Sequence, residues 1–305
     1  MSSKIPYLTL YNEDGSIAEL GELWSPITGC SGKGCKAHCW ARDMVRRFPA
    51  IHGWEPIDIF KNGYIQKSKK TFDAISFSHV QFHPDRLDKP LHWRKPRRIG
   101  VSFTGDLFDE QVRGSWLYSI YPVMVEADWH TYFVLTKQVK RMAQWISNTK
   151  TAWKNRTSHI YHGVSICDQE DADTKIPELL RIPGKHWVSI EPMLGAVDVS
   201  KYGPILNYRY DDPLTNQSYI RDYPMECAGE YPIRMYNDPC IDWLVLGCES
   251  GKKRRPCQLE WMGDVVEQCQ VALVPVYCKQ IQNEKGRVIH DINLFPEALK
   301  VRQLP

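Results

Sequence analysis

Three cysteines lie within ten residues, Cys30-Ser-Gly-Lys-Gly-Cys35-Lys-Ala-His-Cys39, a C-x4-C-x3-C spacing. Thiolates gathered this closely hold a soft metal centre. A tetrahedral structural zinc takes four protein donors. A cubane 4Fe-4S cluster held by three cysteines leaves one iron open to an exchangeable ligand, and that open cluster is the expectation. Gly29, Gly32 and Gly34 have no side chains, so backbone amides can approach the cluster sulfurs and donate to them. Trp24 and Trp40 flank the loop and could shield it from water. The alternative is a zinc knuckle, with His38 or a distant cysteine as fourth ligand.

Such a loop needs a frame. Short apolar runs alternate with helical patterns along the chain. Strands are predicted at 22–27, 78–83, 99–103, 131–136, 159–165, 186–191, 242–247 and 274–278, with Pro26 and Pro275 weakening the first and last. Helices are predicted at 36–47, 110–127, 138–147, 172–181 and 258–271. In the last of these, Trp261, Val265, Val266 and Cys269 share the apolar face. Strand–helix alternation implies an α/β fold with a parallel sheet and right-handed crossovers. About eight units suggest a β/α barrel, complete or partial. An open doubly wound sheet is the rival, without a Gly-rich dinucleotide loop to support it. Residues 1–305 read as one domain, with a cluster loop at 29–40, a Tyr-rich insertion at 199–240 and a C-terminal extension at 283–305.

In a β/α barrel, chemistry sits at the C-terminal ends of the strands. The predicted strands deliver His83; Ser102, Thr104, Gly105 and Asp106; Thr136 and Lys137; Ser165 and Asp168; Glu191; Cys248, Glu249 and Ser250; and Lys279 and Gln280 there. A polar residue after a strand is commonly only a helix N-cap. A whole series of strands ending this way suggests a ring of donors and acceptors around a cavity, with the metal on its rim. Glu191 and Glu249 are expected to face a ligand there, the alternative being internal ion pairs with Lys137 or Lys279.

A hydrophobic content of 43% across 305 residues is enough for a large core. The N-terminus shows no apolar signal region and no stretch is long enough to span a bilayer. The ten cysteines are therefore expected to be free or on metal in a reducing cytoplasm, with no membrane partner. The charge of +3 permits an anionic partner without demanding one. Basic clusters at Arg94-Lys-Pro-Arg-Arg98 and Lys252-Lys253-Arg254-Arg255, with Trp93 and nearby tyrosines, suit a nucleotide or a DNA strand. A solvated charged face is the plain alternative. Cys227, Cys240, Cys248 and Cys257 fall within 31 residues but fit no tight ligand motif, and are expected to be buried or free thiols.

The segments Trp24-Ser-Pro-Ile-Thr-Gly-Cys30, Gly34-Cys35 and His38-Cys39-Trp40-Ala-Arg42 resemble the cluster region of a phage-associated radical S-adenosylmethionine family, the three-Cys-motif proteins. Similar motifs follow in order: Ser102-Phe-Thr-Gly-Asp106-Leu-Phe108, Leu135-Thr-Lys137, Gly163-Val-Ser165, Ser189-Ile-Glu191-Pro-Met-Leu-Gly195, Gly247-Cys-Glu249-Ser-Gly251 and Tyr277-Cys-Lys279-Gln280. Each cysteine gap is one residue longer than the commonest spacing of such enzymes, and His38 stands where they carry an aromatic.

The resemblance implies a TIM-like radical S-adenosylmethionine barrel. S-adenosylmethionine would bind the open iron, and an external donor would supply an electron. A 5′-deoxyadenosyl radical would then abstract hydrogen from the substrate. Cys30, Cys35 and Cys39 become the cluster ligands. Thr104, Gly105 and Asp106 are assigned to the cofactor's ammonium, which suits a carboxylate. Lys137 and Ser165 are assigned to its ribose or carboxylate, and Glu191, Glu249 and Lys137 are the catalytic candidates. Arg94, Lys252, Lys253, Arg254 and Arg255 are the candidates for nucleic acid. The phage resemblance further implies modification of DNA in a bacterial or phage-infected cytoplasm, with isomerisation of an amino-acid-modified thymidine as the leading reaction. The alternatives are a zinc-containing nucleic-acid-binding protein without enzymatic activity, and a radical enzyme acting on a small metabolite or a protein.

Overall fold

A computed structural model describes residues 5–12, 16–33, 35, 39–48, 51, 58–61, 64–67, 77–149, 156–202, 207–212, 217–222, 240–250 and 254–305. Its frame is a run of seven parallel strands: β1 (Ile17–Trp24), β2 (Arg97–Val101), β3 (Thr131–Thr136), β4 (Ile160–Ile166), β5 (Lys185–Ile190), β6 (Trp243–Gly247) and β7 (Val276–Gln282). The two-residue strands Leu10–Tyr11 and Val288–Ile289 pair antiparallel at either edge and complete a nine-stranded sheet.

The parallel strands lie side by side in chain order. That order excludes the doubly wound rival, in which the order reverses at a switch point. It also puts every right-handed crossover on one face. Helices α1 (Trp40–Arg47), α2 (Gly114–Glu126), α3 (Val139–Asn148), α4 (Gln169–Leu180) and α5 (Leu259–Val271) lie in five of the six connections; between β5 and β6 no α-helix is found among the described residues. The outward strand residues Ile99, Val134, Val164, Val188, Leu244 and Val276 share one core with helix residues such as Leu117, Met142, Ile176 and Val265.

The other face is concave. Seven strands laid flat would span about 29 Å, at about 4.8 Å per step. Yet one short turn at Pro6–Leu8 reaches both ends of that span. Leu8 packs so closely on Gly21 of β1 and Gly100 of β2 that a Cβ at either would lie within 3.1 Å of it. Its neighbour Tyr7 meets Tyr277 of β7 with ring centroids 5.9 Å apart. The sheet is therefore curled into a half-barrel, with the N-terminal turn plugging its bowl. Phe103, Phe133, Tyr161, Trp187 and Trp243 line that bowl.

The register differs from expectation where proline and pairing decide it. The strand expected at 22–27 starts earlier and stops at Trp24, two residues before Pro26. The strand expected at 78–83 does not join the barrel. Only Gln81–Phe82 is extended, antiparallel to Ile27–Thr28. The expected eight units are thus seven, and the half-barrel stays open. In α5 the buried face holds Met262 with Val265, Val266 and Cys269, while Trp261 is only half-buried. Within the expected insertion, Asn207–Asp212 and Gln217–Asp222 form an antiparallel hairpin. Most of the rest of 199–240 lies outside the described residues. Among the described residues no helix is long and apolar enough to cross a membrane.

Two features of β4 make the fold testable. Gly163 lies under the Trp187 indole, where a Cβ would sit 2.1 Å from Nε1. That indole is fully buried and donates to Val134 O at 2.9 Å. Gly163→Ala is expected to cost about 3 kcal/mol in denaturant unfolding, from overpacking together with the lost hydrogen bond. His162, on the opposite face, is buried with neither ring nitrogen hydrogen-bonded, and burial lowers its pKa from 6.5 to about 3. The neutral ring is what the fold accommodates. Its stabilising effect is complete above the unfolded value and declines as pH falls from about 6.5 towards 3, because only the unfolded chain takes the proton. His162→Phe is expected to flatten stability-versus-pH curves in that window.

Candidate functional site

The cysteine loop leaves the sheet at the C-terminal end of β1, on the rim where strand-end polar groups collect. Its first fixed point is backbone against backbone. Gly29, in a left-handed conformation at φ 82°, forms a parallel bridge to Gly105 just beyond β2. Gly29 N–H donates to Thr104 O at 3.1 Å. A Cβ on Gly105 would lie 2.6 Å from Gly29 O, so this crossing requires glycine. Ser102, at φ 55°, holds an uncommon left-handed backbone for a serine at the same strand end. Its hydroxyl accepts Ile27 N–H at 3.3 Å.

The second fixed point is Asp109, which sequence reasoning missed. It is almost fully buried, and Oδ2 accepts both the N–H and the hydroxyl of Ser31, at 2.8 and 2.7 Å. Gln138 Nε2, at the start of α3, donates to Lys33 O at 3.1 Å, and Lys33 pairs with Glu110 at 2.6 Å. Asp109 lies one residue past a motif already singled out, and nothing in its type separates a loop anchor from an ordinary turn residue.

Cys30 and Cys39 both pack on Ala41, Val45 and Phe77, and Cys35 is electrostatically coupled to each of them. Gly32 N–H points at Cys30 Sγ (3.1 Å), and Arg42 N–H at Cys39 Sγ (3.4 Å). Cys39 is the N-cap of α1, so its sulfur sits at the positive end of that helix. Burial pushes the Cys30 thiol up to about 12. Burial raises Cys35 too, with the Lys137 ammonium opposing it. An unligated Cys30 is therefore neutral near pH 7, and a metal must displace its proton to bind. Among the described residues no three His, Cys, Asp or Glu side chains form a group suited to one metal ion. His38 and Gly34 lie outside the described residues.

Thr104, Gly105 and Asp106, expected to hold a cofactor's ammonium, form the seam under the loop. The Thr104 hydroxyl donates to Ser25 Oγ at 2.9 Å. Asp106 is buried, and its carboxylate accepts from the Thr136 hydroxyl (2.6 Å), Phe108 N–H (2.9 Å) and Lys137 N–H (3.0 Å). Burial raises its pKa against those bonds. The carboxylate thus ties the end of β2 to the end of β3. Lys137 Nζ then donates to Ser165 Oγ of β4 at 3.1 Å, which brings these two expected residues together.

The two glutamates are on the same rim, in ion pairs. Glu191, following β5, pairs with Lys279 of β7 at 2.5 Å. Glu249, following β6, accepts a forked pair from Arg255, at 3.1 Å from Nε and 3.0 Å from Nη2, and Arg255 N–H at 2.8 Å. The expected alternative of internal pairing thus holds for both, with Lys279 named correctly and Arg255 in place of Lys137. Asp168 caps α4, accepting Asp171 N–H at 3.0 Å.

The basic candidates do not form one surface. Arg94 is exposed just before β2, at the N-terminal end of the sheet, away from the cysteine loop. Arg254 and Arg255 are beside the rim, Arg254 donating to Gly286 O at 2.7 Å. Lys252 and Lys253 lie outside the described residues, as does Cys227. Cys240, Cys248 and Cys257 are buried, the last two as free thiols. Asp109→Ala removes both bonds to Ser31, each about 1.5 kcal/mol for a charged acceptor, and is expected to speed alkylation of Cys30 by about tenfold or more in mass-spectrometric labelling.

No curated protein and no solved structure matches the chain. One family model does, over residues 15–292, which takes in the whole half-barrel and the cysteine loop. The chain thus belongs to the family described as protein of unknown function DUF5131.

Proposed function

We propose that this protein is a radical S-adenosylmethionine enzyme, with a 4Fe-4S cluster on Cys30, Cys35 and Cys39 at the rim of a partial β/α barrel, acting on a nucleic-acid substrate. The observation that carries the reading is the surroundings of the three sulfurs. Two have a backbone N–H aimed at them, and the third feels the positive charge of the Lys137 ammonium, which opposes the effect of its burial. Donors of that kind stabilise thiolates on an iron–sulfur cluster. All three cysteines come from one loop, with no fourth cysteine in it, which suits a cluster with an open iron. When bound, the cluster and S-adenosylmethionine supply reductive carbon–sulfur cleavage and hydrogen-atom abstraction.

The chain's own residues position and exclude. Asp109 and the Gly29–Gly105 seam fix the loop against β2. Lys137, held through its backbone by Asp106 and through its ammonium by Ser165, offers positive charge beside Cys35 to the anionic cluster and to a carboxylate of the cofactor. The aromatic bowl below the rim is filled by Tyr7 and Leu8, which closes the site from beneath. Arg255 and Arg254 flank the strand ends of β6 and β7, where the phosphates of a nucleic acid would be met. A base in duplex DNA would have to be flipped out to reach this rim. Isomerisation of an amino-acid-modified thymidine is the specific reaction we favour.

Anaerobic reconstitution is expected to give a brown protein with about four iron atoms per chain and charge-transfer absorption, lost in a Cys30→Ala/Cys35→Ala/Cys39→Ala variant. Addition of S-adenosylmethionine to the reduced protein is expected to change its EPR spectrum. A colourless protein holding a single zinc, or a spectrum indifferent to the cofactor, would reject the proposal. With an intact cluster, Lys137→Met is expected to weaken S-adenosylmethionine binding by about tenfold, the loss of one charge-assisted contact, read from the titration of the same EPR change.

A further inference from the structure

The rim is uneven in charge. Around the cysteine loop, Lys137 is held by the buried Asp106 carboxylate through its backbone N–H and by Ser165 through its ammonium. At β5–β7 every described acid is matched by a base: Glu249 is committed to Arg255 through three hydrogen bonds, and Glu191 is held by Lys279 through one.

Glu191 is the more accessible of the two carboxylates: it keeps 18% of its side-chain surface exposed and its partner Lys279 21%, against 4% for Glu249. The pair bridges from β5 to β7 over β6, at the position of Gly247. A Cβ there would lie 3.3 Å from Glu191 Cγ, so the absent side chain leaves room for this carboxylate. The Tyr7 ring lies 5.8 Å from the ammonium. Cys248, the other titratable neighbour of Glu191, is a neutral thiol, raised to about 12 by burial. Among the described residues the centre of the patch is one positive and one negative group in direct contact, beside Tyr7, Cys248 and Gln280.

That composition selects a ligand. A lone carboxylate would take Lys279 and strand Glu191, and a lone amine would do the reverse. Either leaves a half-buried charge without its partner, the costly way to open an ion pair. A group carrying both charges can enter between the two, exchanging one internal charge-assisted pair for two external ones with no charge left over. We propose that Glu191 and Lys279 form a subsite for an α-amino-acid moiety of the substrate, Glu191 accepting its ammonium and Lys279 its carboxylate. This rests on the reading of the rim as the active face. It assigns Glu191 and Lys279 to substrate recognition and leaves phosphate contacts to Arg254 and Arg255.

Glycine titrated into the full-length, cluster-free protein tests this by saturation-transfer NMR, with acetate and methylammonium as its two halves. Glycine is expected to bind at least about tenfold more tightly than either half, a difference of about 1.4 kcal/mol. The swapped double variant Glu191→Lys/Lys279→Glu keeps an ion pair. It is expected to retain the melting temperature and lose glycine binding by about tenfold. Should the swap not fold, Glu191→Gln keeps size and polarity, and is expected to bind glycine no better than acetate. Glycine binding no tighter than its halves, or equal in these variants, overturns the proposal. The readout needs neither iron nor S-adenosylmethionine, so its failure and a failed EPR titration are separate results.

Discussion

The site depends on one place where two backbones meet without side chains between them. Gly29 and Gly105 approach so closely that neither the loop nor the strand extension can shift without breaking the bridge. From there the constraint passes to Asp106. Its N–H faces Gly29 O at 3.4 Å, and its carboxylate ties Thr136 and the Lys137 backbone. The position of the Lys137 ammonium relative to the cysteine loop is therefore set by hydrogen bonds that start at the loop itself. A buried carboxylate is expensive unless satisfied, and Asp106 is satisfied by three donors. Its work is to couple loop and lysine, which explains why a residue expected to meet a cofactor is turned inward.

The bowl follows from a second constraint. A curled sheet has less room on its concave side, and the seven strands fill it with large flat rings. Trp187 and Trp243 stack with centroids 5.3 Å apart, and Phe133 and Tyr161 at 5.1 Å. Rings this large leave no space for a side chain at Gly163. Tyr7 closes the remaining gap against Trp187, Trp243 and Tyr277. Polar chemistry is thereby confined to the C-terminal rim, and the open half of the barrel is the approach that remains.

Much of this was legible in the sequence, for a physical reason. The inner five parallel strands are buried on both faces, so each carries an apolar stretch that stands out between polar segments, and the expected ranges fall within two residues of β2 through β6. The ends of the sheet were harder. The strand at 22–27 was misplaced because Leu20 and Gly21 look unremarkable beside Trp24. The supposed strand at 78–83 was apolar enough to qualify, yet its partner is Ile27–Thr28, a pairing that local pattern does not encode. In the site, Cys30, Cys35 and Cys39 announced themselves by spacing, and Lys137 and Ser165 by their strand-end positions, although their contact with each other was not foreseen. Asp109, Tyr7 and the choice of Arg255 for Glu249 depend on contacts between distant segments or on a backbone turn, so residue type alone carried no signal for them.

The basic residues show how far a charge pattern can mislead. Arg94 and Arg255 belong to similar-looking clusters, but the sheet separates them by the length of its strands, one before β2 and the other after β6. Arg255 is moreover held by Glu249, so its charge is partly cancelled where it stands. A nucleic acid at this rim would therefore be drawn in less by a broad positive field than by replacing contacts already made. Selection by exchange favours ligands whose charges match those displaced, in sign and in number. On the proposed reading, that makes the paired side of the rim the discriminating half of the site and the cysteine side the reactive half, divided by the width of the bowl between β1 and β7.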